Sequence, residues 1–185
     1  MPERSSPFDR LEAPPAPGAV LTPRGPAAAF ILRVRRPEGI AAAGAAFGLP
    51  LPQDACRSAA IGRRSVLWLG PDEWQLMAPE EEGPGLADAI AEAMGEIPHS
   101  LVAVGERNVA FEIAGPAAEA VLNAHCLLDL HLSRFPIGMC TRTLYGKAEI
   151  LLWRLGAERF YVGCWRSFAA YVWGLTLEAR LEYTT

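Results

Sequence analysis

Two stretches of the chain read alike: Leu67–Met77, L-W-L-G-P-D-E-W-Q-L-M, and Leu152–Val162, L-W-R-L-G-A-E-R-F-Y-V. Each runs from an apolar strand through a glycine turn and an acidic residue into a strand carrying an aromatic side chain. A doubled hairpin constrains the fold strongly, because each copy pairs its strands locally and still needs a wider sheet and a helical cover to bury its apolar side.

The patterns around the two hairpins agree with a duplication. In the first half, Phe30–Val34 alternates as a strand, with Phe30, Leu32 and Val34 on one face and Ile31 and Arg33 on the other. An alanine-rich helix from Glu38 to Phe47 follows, closed by Gly48 and the breakers Pro50 and Pro52. Strands are expected near Arg57–Ile61, Ser65–Leu69 and Trp74–Ala78, with Gly70-Pro71-Asp72-Glu73 as the turn. Leu86, Ile90 and Met94 recur at helical spacing and predict an amphipathic helix over Pro84–Met94, followed by a strand at Leu101–Val104.

In the second half, strands are expected at Val109–Ile113, Cys140–Leu144, Glu149–Arg154 and Phe160–Cys164, with a helix from Pro116 to about Ala124. A last helix is expected to start at Ser167 as N-cap, with Phe168, Tyr171, Val172, Leu175 and Ala179 on one face. The fold class is therefore α+β: two pseudo-repeated strand-helix-strand-strand-helix halves forming mixed sheets covered by helices.

Residues 1–28 stand apart. Pro2, Pro7, Pro14, Pro15, Pro17, Pro23 and Pro26 interrupt them, and Phe8, Leu11, Val20 and Leu21 are the few large apolar side chains. Proline restricts its own φ and lacks an amide donor, so 1–28 reads as an extended N-terminal arm that does not fold by itself, and 29–185 as one α+β domain.

Composition narrows the function. Hydrophobic residues make up 51% of the 185 and charged residues 21%, an apolar surplus that suits a subunit with covered surface. The formal charge is -4, and basic residues occur only in short pairs such as Arg35-Arg36 and Arg63-Arg64. Nucleic acid and anionic membrane surfaces both need a concentrated positive field, so neither is expected as a partner. Cys56, Cys126, Cys140 and Cys164 show no CxxC spacing, and neither a signal peptide nor an apolar run of roughly 18 residues is seen. A soluble, cytoplasmic protein is the expectation.

Candidate chemistry is sparse. His125, Cys126, His131 and Cys140 are the cluster of potential metal ligands, but His125 and Cys126 are adjacent with diverging side chains, so they read as buried cysteine and helix-end histidine. Cys126 is the most exposed to activation by a neighbouring histidine, yet packing explains it, and Ser167 lies in no nucleophile elbow. Asp129 reads as the cap of a turn. Gly83-Pro84-Gly85 lacks the third glycine of a dinucleotide loop, and its proline has no amide to offer phosphate. Among Trp68, Trp74, Trp153, Trp165 and Trp173, the first three sit in expected strands; Trp165 and Trp173 stand equally as core residues and as partner contacts.

Taken together, L-W-L-G-P-D-E-W, the Gly115-Pro116 helix start, C-L-L-D-L-H, F-P-I-G-M-C and R-S-F-A-A-Y-V-W resemble the gamma subunit of heterotetrameric sarcosine oxidase, a relative of folate-binding aminomethyltransferases, over roughly Ala29–Ala179. The resemblance implies a fold like the N-terminal region of aminomethyltransferases and a non-catalytic structural subunit, with alpha, beta and delta subunits as partners. Those subunits would hold FAD, FMN, NAD and tetrahydrofolate, with none bound by this chain, in a complex that oxidises sarcosine. The paired aspartates of the aminomethyltransferases fall here on Ala148 and Glu149 within Tyr145–Trp153, so one acid remains, with Lys147 nearby and expected on the same strand face as Glu149. The alternatives are the equivalent subunit of an N-methylglutamate dehydrogenase-type complex and an independent folate-binding protein.

Overall fold

The computed structural model describes residues 6–183. Residues 1–5, which include Pro2 of the expected arm, and Thr184 and Thr185 lie outside the described residues. The chain divides into two compact units: Pro26–Glu106, and the described residues up to Gly25 together with those from Arg107 onward. The divisions fall at 25/26 and 106/107, whereas the sequence suggests an arm ending at 28 and one body from 29.

The unit Pro26–Glu106 contains, in a numbering that follows the whole chain, β2 (Ala27–Val34), α1 (Pro37–Phe47), β3 (Ser58–Ile61), β4 (Arg64–Gly70), β5 (Glu73–Pro79), α2 (Gly83–Met94) and β6 (His99–Ala103). Its sheet has the order β3-β4-β5-β2-β6. Phe30, Leu32 and Val34 bury one face of β2 as their alternation predicts, against Phe47 of α1 and Leu86, Ile90 and Met94 of α2. Pro37 opens α1, where a missing amide costs nothing, and Gly48 closes it in the left-handed conformation at φ 82°.

The second unit contains β1 (Val20–Pro23), β7 (Asn108–Ala114), α3 (Ala118–Asn123), β8 (Cys140–Tyr145), β9 (Ala148–Gly156), β10 (Arg159–Trp165) and α4 (Ala169–Arg180). Its sheet has the order β1-β7-β10-β9-β8. Read from the other edge, β8-β9-β10-β7-β1 repeats β3-β4-β5-β2-β6 strand for strand. The doubled hairpins carry this equivalence into the register. In β4/β5, Trp68 pairs Trp74 and Gly70 pairs Glu73 across a bulge; in β9/β10, Arg154 pairs Phe160 and Gly156 pairs Arg159 across the same bulge.

Each strand pair within these sheets is antiparallel, where the sequence suggests mixed sheets. The reason lies in where the crossovers land. The strand after α1 goes to the far edge and pairs only with its own hairpin partner, and α2 connects β5 and β6 on opposite sides of β2, so parallel strands never become neighbours.

The strand that sequence periodicity misses is β1. The first unit ends its helix-covered sheet with β6, which follows α2; no strand follows α4 among the described residues, and β1 from the N-terminal segment takes the corresponding place beside β7. The bonds just past the two edge strands match: Val104 N–H donates to the Ala29 carbonyl at 2.7 Å, and Arg24 N–H to the Ala110 carbonyl at 2.9 Å. V-L-T-P is too short and too proline-flanked to announce a strand, and its edge position is what tolerates Pro23.

Further along the same segment, a 3-10 turn over Pro7–Arg10 seats Phe8 in the core. The Phe8 ring lies 5.5 Å from that of Phe111 and 5.1 Å from that of Trp173, and Phe111 meets Trp173 edge-on at 5.2 Å. Trp173 Nε1 and Arg180 Nη2 donate to the carbonyls of Glu12 and Pro14. Gly115, at φ 131°, leaves no room for a side chain: a Cβ there would come within 2.5 Å of the Gly18 carbonyl, which itself accepts from Ala117 N–H at 2.7 Å. The proline-rich segment is thus an integral part of this unit's packing.

Helix α4 differs from its sequence reading in two ways. Ser167 is not its N-cap: residues Arg166–Phe168 form a 3-10 turn, and Phe168 occupies the cap position without a side-chain bond. The buried face is Ala169, Val172, Trp173, Thr176 and Arg180, one residue on from the expected Phe168, Tyr171, Val172, Leu175 and Ala179. A one-residue shift turns a helix by about 100°. Inward, Trp173 meets the rings of Phe8 and Phe111, contacts that local periodicity does not show.

Candidate interaction surface

The two tryptophans that sequence leaves open are separated by their surroundings. Trp173 is 2% exposed and belongs to the core. Trp165 ends β10 at 43% exposure, stacked on Phe168 at 5.9 Å, with the Arg107 guanidinium 5.2 Å from its ring. A tryptophan in contact with both a cation and a second ring has favourable partners for its π face, and such side chains are enriched where binding energy concentrates.

A second apolar surface lies between α3 and β8. Its inward residues, Cys126, Leu130 and Phe135, are buried in the unit's core. Leu127, Leu128 and Leu132 among them and Ile137 just after them project outward, Leu127 at 91% and Ile137 at 56% exposure. Cys126 bridges Tyr145 in an antiparallel sense, and Gly146 N–H donates to the His125 carbonyl at 2.9 Å. That register sets Leu127 opposite Leu144, also exposed at 51%.

Arg154 holds this segment. Its side chain is 1% exposed, and Nη1 donates to the carbonyls of Leu130 at 2.7 Å and Phe135 at 2.9 Å. Nη2 reaches the Ala157 carbonyl and the Glu119 carboxylate at 3.0 Å, and Nε the Gly156 carbonyl. The plane lies 4.5 Å from the Phe160 ring centroid. The Arg154 backbone adds two more ties, to Gly138 N–H and the Met139 carbonyl. Sequence reasoning missed this residue, although a single arginine inside the apolar run of β9 is itself a sign that carbonyls wait for it.

The candidate chemical residues do not assemble. Among the described residues no three His, Cys, Asp or Glu side chains converge as metal ligands. His125 packs edge-on against Tyr145 at 5.4 Å, while the ring of His131 meets the Ser133 hydroxyl at 2.8 Å. Cys126 and Cys140 are buried. Asp129 accepts from His131 N–H at 3.0 Å, the turn cap its sequence suggests. Lys147 lies in the turn between β8 and β9, not on the strand face with Glu149 as expected, and its N–H donates to the Tyr171 hydroxyl at 3.1 Å. Gly146 makes that turn at φ 59°. Ala148, opposite Tyr145, is buried; Glu149, opposite Leu144, is exposed. In the other unit an open groove of about 460 Å³ beside α1 is lined by Ile40, Leu49, Leu51 and small or backbone groups, with Gln53 as its amide.

A family model described as sarcosine oxidase, gamma subunit family, matches residues 34–182. The chain belongs to this family. It is 38% identical to the sarcosine oxidase subunit gamma of an Arthrobacter species over 125 residues, which cover 67% of this chain and 61% of that protein. It is 32% identical to the subunit gamma of Corynebacterium sp. strain P-1 over 148 residues, 80% of this chain and 72% of that one. Among solved structures, heterotetrameric sarcosine oxidase from Corynebacterium sp. U-96 in complex with pyrrole 2-carboxylate contains a chain that superposes with a TM-score of 0.89 at 29% identity, covering 98% of this chain and 97% of its own. The glycine cleavage aminomethyltransferase T from Bartonella henselae superposes at 0.66 with 13% identity, over 89% of this chain and 47% of its own, which establishes a common fold. Among the described residues no helix is long and apolar enough to cross a membrane.

Proposed function

We propose that this chain is the non-catalytic structural subunit of a sarcosine-oxidase-like heterotetramer, packed against alpha, beta and delta subunits. Those partners hold FAD, FMN, NAD and tetrahydrofolate, and the assembly oxidises sarcosine to glycine, passes electrons from FAD through FMN to oxygen, and hands the one-carbon unit to tetrahydrofolate. The observation that carries this reading is the superposition along nearly the whole length of a subunit of a heterotetrameric sarcosine oxidase.

A second observation supports the absence of chemistry in this chain. By the resemblance, the two positions that correspond to the paired aspartates of the aminomethyltransferases hold a buried alanine, Ala148, and an exposed glutamate, Glu149, pointing to opposite faces of β9. Those residues do not fit a folate site. Trp165, stacked and half-exposed, is the contact this reading assigns to a partner.

The test is gentle purification of the tagged chain from its native cell, with flavin absorbance and mass spectrometry of the eluate, followed by amine oxidation assays. Larger flavin-bearing partners and turnover of sarcosine are expected. Turnover of N-methylglutamate in place of sarcosine would move the chain to that type of complex, and a colourless monomer that binds tetrahydrofolate saturably would overturn the subunit reading.

A further inference from the structure

We infer that the leucine-bearing segment between α3 and β8 is a preformed docking platform for an unlike protein subunit, with Arg154 as its positioning residue. The inference rests on the subunit reading above and adds the surface through which assembly occurs.

Three observations carry it. Exposed leucines on a loose loop would collapse inward, but this segment already buries Leu130 and Phe135 and has its carbonyls held by a buried guanidinium. Leu127, Leu128, Leu132 and Ile137 are exposed along this anchored segment, and Leu144, next to Tyr145 of the Cys126–Tyr145 bridge, is exposed as well. A rigid apolar face loses little conformational entropy on binding.

Charge selects the kind of occupant. The segment carries Asp129 and Arg134 with His125 and His131, signs that nearly cancel, in a chain of formal charge -4. An anionic membrane surface would need a basic excess, so the face suits a protein surface that is apolar and uncharged. The chain it superposes on belongs to a heterotetramer, which favours an unlike subunit over a second copy.

The test uses the full chain in its native cell, as wild type, as Leu127→Asp with Leu132→Asp, and as Ile61→Asp, an exposed isoleucine in the other unit. Recovery of the flavin-bearing partners, identified by mass spectrometry, is expected to fall by about ten-fold or more in the double variant and to stay within about two-fold in Ile61→Asp. Wild type that assembles beside a folded double variant that assembles equally well overturns the platform alone. Wild type that recovers no partner overturns the subunit reading and the platform with it.

If the double variant does not fold, hydrogen exchange on the wild-type protein decides. Amides of 127–139 are expected to slow in the complex relative to the isolated chain, and unchanged exchange rejects the platform. Self-association or binding to phosphatidylglycerol vesicles that the double variant abolishes, with partner recovery intact, would assign the face to a second copy or to lipid and equally reject it.

Discussion

Arg154 and Phe160 occupy, in the β9/β10 hairpin, the paired positions that Trp68 and Trp74 occupy in β4/β5, and the guanidinium lies 4.5 Å from the phenyl centroid. One unit fills this pair with two indoles; the other uses an arginine that turns its remaining donors on the backbone between α3 and β8. The duplication thus kept the hairpin and changed what it supports.

Arg154→Met is expected to destabilise the full chain by about 3 kcal/mol in urea denaturation, since it strands buried carbonyls and the Glu119 carboxylate together. Arg154→Lys keeps the charge but reaches fewer acceptors, and is expected to recover less than half of that loss. An unchanged midpoint in Arg154→Met would show that solvent replaces the guanidinium and that the segment does not depend on it.

Phe8→Ala removes a ring that is 1% exposed between Phe111 and Trp173. A loss of about 3–5 kcal/mol is expected from the burial and the cavity left behind. A loss below about 1 kcal/mol would mean that the N-terminal segment spends much of its time away from the core.

Cys56 adopts φ 59°, a conformation that costs an L-residue with a Cβ about 1–2 kcal/mol, and it is the one cysteine not buried among the four. Cys56→Gly is expected to raise stability by about 0.5 kcal/mol, the strain relief being partly offset by a more flexible unfolded chain. In the native protein one thiol is expected to react quickly with a thiol reagent. Fast modification of all four would contradict the burial of Cys126, Cys140 and Cys164.

Burial pushes the Cys164 thiol up from 9.0 to about 12, and it pushes the Tyr145 phenol up from 10.0 to about 12. Both groups hold their protons more tightly folded than unfolded. Their contribution to stability is therefore complete below about pH 9 and declines as pH rises towards 12. Denaturation midpoints measured from pH 8 to 11 are expected to fall, and Cys164→Ala to flatten the early part of that decline. A variant with the wild-type slope would assign the decline to other groups.

Local pattern reached a good deal of this fold. Alternation placed Phe30, Leu32 and Val34 on the inner face of β2, Gly48 marked the end of α1, and the two glycine-turn hairpins announced related halves. The candidate surface was less legible. Trp165 was named from its aromatic character, but Leu127 entered only within the C-L-L-D-L-H motif, Leu132 drew no reading and Arg154 appeared only as the end of a strand, because neither exposure nor a set of waiting carbonyls is written in neighbouring residues.

By itself the sequence determined the periodicities, the turns, the absence of a second acid beside Glu149, and the motifs that carry the family. Those are local quantities, set by residues a few positions apart. Tertiary structure alone decided that β1 completes the sheet beside β7, that Trp173 of α4 faces inward against Phe8, and that Arg154 fixes a distant segment with its leucines outward. Each of these joins residues far apart in the chain, and an open sheet edge, a half-filled core or an unpaired carbonyl exists only once the rest of the unit has formed.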